Sequence, residues 1–303
     1  MSIPKKRPIV LSERKYNKNI VTEDYNSELL NESLHTFDQQ HELAEYIAGF
    51  AIECIKQKKN KCTVNIENFN LSFKNVNLEI TKNNLIFKVS AWLSDVDSDG
   101  DGTIVINVYK HIDIIDYNEK NLFLDIKEAV MHELGHWYFI LTKYNNSGNV
   151  DTTSFNQLYE EITQMTKNDK ISERLYYIVY ALYSVFGNEL NAFVSQCHCE
   201  VYNYLIQQKE ISIKTVRMAL IKSTTYNNFI ENVDDLKNAI RNNDNKKEYI
   251  IHEFNTLTNN KKTNIRNVQQ FNKILKFALE RNNEALRFCE QTAVNAYYKL
   301  KNK

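Results

Sequence analysis

The sequence contains few of the residues that interrupt regular secondary structure. Among 303 residues there are six glycines and two prolines, less than half of the usual share. Both prolines, Pro4 and Pro8, lie near the start, so no later segment is excluded from a helix by a missing backbone N–H group. A chain with so few turn-forming residues is predicted to consist largely of long helices.

Other absences exclude whole classes of protein. The apolar runs are short, so no segment is expected to span a bilayer. The 38 Lys and Arg residues balance the 38 Asp and Glu residues, which gives no bulk electrostatic reason for nucleic-acid binding. Five cysteines without a secretory signal predict a reducing compartment, no disulfide framework and a cytoplasmic location. We therefore expect neither a membrane nor a nucleic acid as a partner.

The chain divides into regions of different periodicity. Residues 1–35 are basic at their start and are predicted to form a flexible arm. Apolar spacings of three and four predict a helix over residues 37–59, and alternation with β-branched residues then predicts strands. The strands are expected at residues 63–66, 77–80, 85–93 and 103–109, with the last two forming a hairpin. The helical pattern resumes at Asp125, where a capping pair is expected to open a helix. The predicted fold class is α+β, with one unit over residues 36–206 and a helical region over residues 207–303.

One segment, residues 131–137, carries the motif H-E-x-x-H. His132 and His136 are one helical turn apart and point from the same face, so both imidazoles can bind one Zn²⁺ ion. Glu133 is rotated by about 100° and lies beside the metal, where it can act as general base on metal-bound water. Gly135 disfavours the helix by about 1 kcal/mol relative to Ala, which the close approach of a neighbouring element would explain. The alternative is a pair of ordinary histidines on a half-buried helix.

With this motif after a strand-rich region, residues 37–206 resemble the zincin metallopeptidases, and among them the gluzincins, whose third zinc ligand is a glutamate. The metzincin pattern is absent, because Phe139 and Thr142 stand where that pattern requires Gly and His. The resemblance implies a zincin-like fold, Zn²⁺ as cofactor and hydrolysis of a peptide or protein substrate by metal-activated water. The chain is also similar to zinc peptidases of bacteriophages and low-GC bacteria, which would place it in the host cytoplasm or in the virion.

The resemblance leaves the third zinc ligand open. Glu189 stands in the first turn of a predicted helix, with a small residue three positions later, as in gluzincins, and is the preferred candidate. Glu160 and Glu161 fit the shorter spacing of thermolysin-like enzymes better and remain alternatives. His198 lies between two cysteines, but successive helix residues point about 100° apart, so three in a row cannot converge on one ion. A buried or half-buried helix surface is expected there instead.

A substrate-binding edge strand and an oxyanion-stabilising group are implied as well. Residues 103–109 precede the motif helix and are expected to border the cleft, where a substrate peptide would pair antiparallel with them. An internal strand without a substrate role is the alternative. The oxyanion group would be a histidine or a tyrosine of the downstream helices. The predicted helix at residues 172–186 offers four tyrosines, among which the sequence gives no choice. These are Tyr176, Tyr177, Tyr180 and Tyr183.

Two further alternatives stay open. Residues 95–101 resemble the first half of a calcium loop, but the position for the final bidentate carboxylate is apolar. A solvated acidic turn is expected there, and a looser Ca²⁺ site is the alternative. The chain could also be a zincin-fold structural or interaction protein, for example in a phage particle, without peptidase turnover, although the intact Glu133 argues against this. Neither the substrate nor the oligomeric state follows from the sequence.

Overall fold

The structure is a computed structural model, and it describes the chain in several segments. The described residues are 27–65, 75–83, 89–94, 102–109, 119–145, 161–166, 168, 171–185, 189–258 and 263–301. The acidic segment 95–101 and Glu160 lie outside these residues, so the calcium alternative stays a prediction.

A small mixed sheet follows the first helix, α1, which spans Ser27–Lys56. The strands are β1 (Lys61–Asn65), β2 (Asn75–Asn83), β3 (Val89–Ser94) and β4 (Gly102–Tyr109). Their order is β1-β2-β4-β3, in which β2 and β4 are parallel and the other two pairs are antiparallel. The antiparallel pairing of β3 and β4 confirms the predicted hairpin. The prediction that residues 103–109 form the edge strand is wrong, because β2 pairs with the second side of β4 over its full length.

Helices form most of the remaining described chain. They are α2 (Glu119–Asn145), α3 (Glu173–Tyr183), α4 (Glu189–Leu205), α5 (Ile213–Lys222), α6 (Thr224–Arg241), α7 (Asp244–Leu257) and α8 (Val268–Lys301). Residues 161–165 add one short helical segment before α3. A small sheet among predominant helices is compatible with the predicted α+β class. Within the described residues, no helix combines the length and the apolar character needed to cross a membrane.

Two helices begin earlier than predicted. α1 already includes residues 27–35, which were expected to belong to the arm, and residues 1–26 lie outside the described part of the chain. α2 begins at Glu119 rather than at Asp125, since Leu122 already packs against the core one turn before the expected cap. The carboxylate of Asp125 therefore belongs to the helix interior and does not open the helix.

The first hydrophobic core lies between the sheet and the two helices α1 and α2. Its buried side chains come from all three elements, and among them are Leu43, Ile47, Ile104, Ile106, Ile126, Val130, Leu134 and Trp137. Burying this apolar stripe of α2 fixes the rotation of the helix about its axis. The motif side chains are thereby left facing the cleft and not this core.

Helix α4 connects this first core to the C-terminal helices. Its Cys199 packs in the first core, whereas Leu190, Val194 and Val201 belong to a core shared with α5, α6 and α8. A further core joins α3 to α6, α7 and α8. The C-terminal helices thus pack directly on the helix that begins with Glu189, across the predicted boundary between residues 206 and 207.

The prediction that the cysteines form no disulfides is wrong for one pair. Cys54 near the end of α1 and Cys62 in β1 form a disulfide across the turn between the two elements. The chain reverses there within eight residues and brings the two Cα atoms to 6.7 Å, a separation that a disulfide can bridge. Since disulfides are typical of oxidising compartments, the cysteine content no longer supports a cytoplasmic location.

Candidate metal centre and cleft

Three side chains from two helices converge beside the sheet. His132 and His136 lie one turn apart in the middle of α2, and their Nε2 atoms are 3.2 Å from each other. Each Nε2 atom is 3.6 Å from Oε2 of Glu189, the first residue of α4. Among the described residues these are the only three His, Cys, Asp or Glu side chains whose ligand atoms cluster closely enough for one metal ion.

The triangle formed by these atoms fits a small divalent cation. Four ligands arranged tetrahedrally at about 2.0–2.1 Å from a zinc-sized ion are about 3.3–3.4 Å from one another. The observed sides of 3.2, 3.6 and 3.6 Å match that separation closely. Three protein ligands leave a fourth position, which is the arrangement of catalytic rather than structural zinc sites.

The structure places Glu189, the preferred candidate for the third ligand, beside the two histidines. Glu161, the alternative that lies within the described residues, is not there. Glu189 is buried, with 3% of its surface exposed, and reaches both imidazoles. Glu161 is also buried but does not belong to the cluster. His198 is buried on α4, where it packs near His41, and it too lies outside the cluster. This agrees with the prediction that the Cys-His-Cys segment is a packed helix surface.

Gly135 explains how the third side chain reaches the histidines. A Cβ atom at this position would lie 2.7 Å from the Cα atom of Ala192 and 3.2 Å from Oγ of Ser195. The backbones of α2 and α4 therefore touch at Gly135, one turn away from Glu189. The prediction that this glycine permits the close approach of a neighbouring element is confirmed.

Glu133 lies at the border between the motif helix and the sheet. The backbone N–H of Leu93 in β3 donates a hydrogen bond of 2.7 Å to Oε2 of Glu133. Burial raises the pKa of the Glu133 carboxyl to about 7, although the charge of His132 and the Leu93 N–H group both lower it. A carboxyl with a pKa near neutrality can both accept and return a proton, as general acid–base catalysis requires.

The two histidines differ in their protonation behaviour. Burial, together with the charge of His132, lowers the pKa of His136 to about 4, so this imidazole is neutral at pH 7. Burial also lowers the pKa of His132, but the carboxylates of Glu189 and Glu133 raise it by more, and the net direction is upward. The arrangement keeps the imidazole of His136 neutral and favours the protonated form of His132 beside the two carboxylates.

A cleft with a volume of about 550 Å³ opens over the cluster. β3 contributes Ala91, Trp92 and Leu93 to its lining, and Tyr183 and Phe193 line it as well. The strand beside the cleft is therefore β3 and not β4. The sequence analysis missed this role because β3 and β4 form one hairpin, and nothing in either strand indicates which of them pairs with β2.

Only one of the four candidate tyrosines borders the cleft. Tyr183 lies in its wall, whereas Tyr176 and Tyr177 are exposed on the outer turn of α3. Tyr180 lies between these two residues and Tyr183 in the helix, and burial raises the pKa of its phenol to about 12. The ring of Phe193 contacts both Tyr183 and His132, with centroid distances of 6.3 and 4.7 Å. Phe193 and Gln196, both of α4, are cleft residues that the sequence analysis did not single out.

Comparison with known proteins adds no assignment. No protein-family model, no curated protein and no solved structure matches this chain. The functional argument therefore depends on the geometry of the cleft and on the chemistry of its side chains.

Proposed function

We propose that the protein is a zinc-dependent metallopeptidase with a zincin-like catalytic unit of the gluzincin type. The observation that carries this proposal is the arrangement of His132, His136 and Glu189 at the base of an accessible cleft, with Glu133 beside them. A binding or structural metal site is typically closed by a fourth protein ligand, whereas this cluster offers three.

The donor set fits Zn²⁺ better than the other common divalent cations. Two imidazoles and one carboxylate suit zinc, whereas Mg²⁺ and Ca²⁺ prefer sites made of oxygen atoms. In this proposal His132, His136 and Glu189 hold the ion. When bound, zinc supplies Lewis-acid chemistry, since it makes hydroxide accessible at neutral pH and polarises a carbonyl group.

Glu133 is the general base and then the general acid of the proposed reaction. Its buried carboxyl has a pKa of about 7, so it can take a proton from the attacking water and deliver it to the leaving amine. The hydrogen bond from the Leu93 N–H fixes one carboxylate oxygen and leaves the other to face the cleft. Its position one residue after His132 keeps it near the metal without binding it.

The outer edge of β3 is the proposed docking edge for the substrate backbone. The Leu93 N–H group points away from β4, because it is directed at Glu133. In an antiparallel pair, main-chain groups alternate in direction, so those of Ala91 face the same way as those of Leu93. An extended peptide can pair with Ala91 while its scissile carbonyl lies over the cluster. Tyr183 is the proposed stabiliser of the developing oxyanion, since it alone of the four candidate tyrosines lines the cleft.

The compartment remains a prediction. A location in a host cytoplasm or in a virion was expected from the sequence, but the Cys54–Cys62 disulfide favours an oxidising environment.

The direct test combines metal content with peptide cleavage. The protein is stripped with a chelator, reloaded with Zn²⁺, and incubated with a diverse peptide library whose products are identified by mass spectrometry. Cleavage that appears only after reloading is expected, and Glu133→Gln should abolish it while one zinc stays bound. Glu128→Gln is the matched control, a half-buried glutamate of the same helix that does not line the cleft.

Two outcomes would contradict the proposal. Zinc binding without cleavage of any peptide would favour the alternative of a structural or interaction protein. Cleavage that survives in zinc-loaded E133Q would exclude Glu133 as the acid–base group.

A further inference from the structure

Gln196 connects the metal cluster to the part of the chain beyond it. It stands seven residues after Glu189 on α4, two helical turns further along the same face. Its side chain lines the cleft and interacts with the imidazole of His132. The Nδ1 atom of His132 is buried and has no hydrogen-bond partner among the described residues, while its Nε2 atom faces the cluster.

Glu200, one turn after Gln196, accepts a full set of hydrogen bonds. The Nε2 group of Gln196 donates to one carboxylate oxygen at 3.2 Å. The hydroxyl groups of Ser223 and Thr225 donate at 2.6 and 2.7 Å, and the backbone N–H of Thr225 donates at 3.1 Å. Four donors saturate the acceptor sites of one carboxylate.

This saturation decides which way the amide of Gln196 is turned. An ionised carboxylate can only accept hydrogen bonds, so the side of Gln196 that faces Glu200 must be its NH₂ group. The oxygen of the same amide is then directed away from Glu200 and toward the imidazole of His132. An acceptor beside Nδ1 retains the proton on that nitrogen, which leaves the lone pair of Nε2 for the metal.

We propose that Gln196 is the positioning residue for His132 and that Glu200 sets its orientation, so that the C-terminal helices control the geometry of the metal site. This inference rests on the proposed function in one respect, the assignment of His132 as a zinc ligand through Nε2. Gln196 does not touch the metal or the substrate in this proposal; it acts through the imidazole.

The connection to the C-terminal helices is direct. Ser223 is at once the C-cap of α5 and the N-cap of α6, and Thr225 belongs to the first turn of α6. Both are buried, with 2% of their surface exposed. The carboxylate of Glu200 therefore fixes the junction of α5 and α6 on one side and the amide of Gln196 on the other. This gives a role in the site to a helical region whose purpose the sequence did not reveal.

The test measures the affinity for Zn²⁺ by competition with a chromophoric chelator, and the visible absorption spectrum of the Co²⁺-loaded protein. Gln196→Met keeps a side chain of similar length and removes the acceptor, and Glu200→Gln leaves Gln196 in place but removes the acceptor-only partner. Both variants should lower the Zn²⁺ affinity by about 10- to 100-fold, the usual effect of losing a residue that orients a ligating histidine. Both should also change the Co²⁺ spectrum, since the imidazole ring is no longer fixed.

A matched control separates positioning from general destabilisation. Gln40 is a buried glutamine that accepts a hydrogen bond from Ser195 of α4, the residue next to Gln196 in the chain. Gln40→Met removes a comparable buried contact without touching His132, so the affinity for Zn²⁺ should stay within twofold of the wild-type value. In the double variant Q196E/E200Q the carboxylate and the amide exchange places, and the introduced carboxylate can accept from His132. This exchange should restore most of the affinity that E200Q alone loses.

Several results would overturn the proposed role. Wild-type affinity and an unchanged Co²⁺ spectrum in Q196M and E200Q would do so, and so would an equal loss in Q40M. If Q196M folds poorly, E200Q and the double variant still test the same step. A wild-type protein that binds neither Zn²⁺ nor Co²⁺ would instead overturn the proposed function itself.

Discussion

The glycine inside the motif provides a quantitative test of how the site is built. In Gly135→Ala the new Cβ atom would lie 2.7 Å from the Cα atom of Ala192, whereas ordinary contacts begin at 3.4 Å. The contacted atom is backbone, so α4 must move by about 0.7 Å to accommodate it. Alanine favours a helix by about 1 kcal/mol over glycine, but overpacking typically destabilises by about 1–3 kcal/mol. The net expectation is a loss of up to about 2 kcal/mol.

The displacement matters more for the metal than for the fold. Glu189 lies three residues before Ala192 on α4, so its carboxylate moves with the contacted backbone. A metal site tolerates deviations of only about 0.2 Å in its ligand distances. A shift of about 0.7 Å of one of three ligands should therefore lower the affinity for Zn²⁺ at least about tenfold, while His132 and His136 remain in place.

Gly49 is the matched control, because it also stands inside a helix. A Cβ atom there would meet only Cε2 of Phe123 at 3.9 Å, an ordinary contact. Gly49→Ala should therefore stabilise the protein by about 0.5–1 kcal/mol and leave the affinity for Zn²⁺ unchanged. The assays are urea unfolding with a chelator present and competitive Zn²⁺ titration. A G135A protein that is stabilised like G49A and binds Zn²⁺ as the wild type does would refute the reasoning.

Three other substitutions test separate parts of the structure. Glu189→Gln should lower the Zn²⁺ affinity by at least about 100-fold, more than the loss of a residue outside the ligand set, whereas the buried control Glu161→Gln should not. Burial and the charge of Glu200 raise the pKa of Glu128 to about 8, although the Asn203 hydrogen bond lowers it. The folded protein therefore binds this proton more tightly than the unfolded chain does, so the unfolding free energy of the wild type should fall as the pH rises from 4.5 to 8. Glu128→Gln should flatten this fall in urea titrations at several pH values and stabilise the protein at pH 8. Asn282→Ala should destabilise by about 2–3 kcal/mol in the same assay, because it removes buried hydrogen bonds to two main-chain carbonyls and to another asparagine; a loss below about 0.5 kcal/mol would contradict this account.

The parts of the fold that depend on local chemistry could be predicted from the sequence. The spacing of His132 and His136 already places both imidazoles on one face of a helix, and no tertiary contact is needed for that conclusion. The helical bias follows from the scarcity of Gly and Pro, and the bounds of α3 were expected to within a few residues. Gly135 was informative for a related reason, since its cost to the helix would be explained by a neighbouring element lying too close for a side chain.

The parts that depend on long-range pairing could not be predicted. A hairpin pattern shows which two strands are joined by a turn. It does not show which of them has a further strand on its other side, and here that is β4, which pairs in parallel with β2 from outside the hairpin. For this reason β4 was mistaken for the edge and β3 was overlooked. The Cys54–Cys62 disulfide was missed because the spacing alone does not determine how sharply the chain turns after α1.

The identity of the third ligand combines both kinds of information. Local sequence favours Glu189 over Glu161 only through the small residue three positions later, since each is an acidic residue in the first turn of a helical segment. What separates them is the path of α4, which touches α2 at Gly135 on one side and is held by the C-terminal helices on the other. A third ligand 53 residues beyond the second histidine becomes reachable only because both contacts press the start of α4 against the motif helix. The helical region after residue 206 is therefore part of the reason that a three-ligand site exists, which is why variants of Glu200, outside the cluster, are the most informative ones to make.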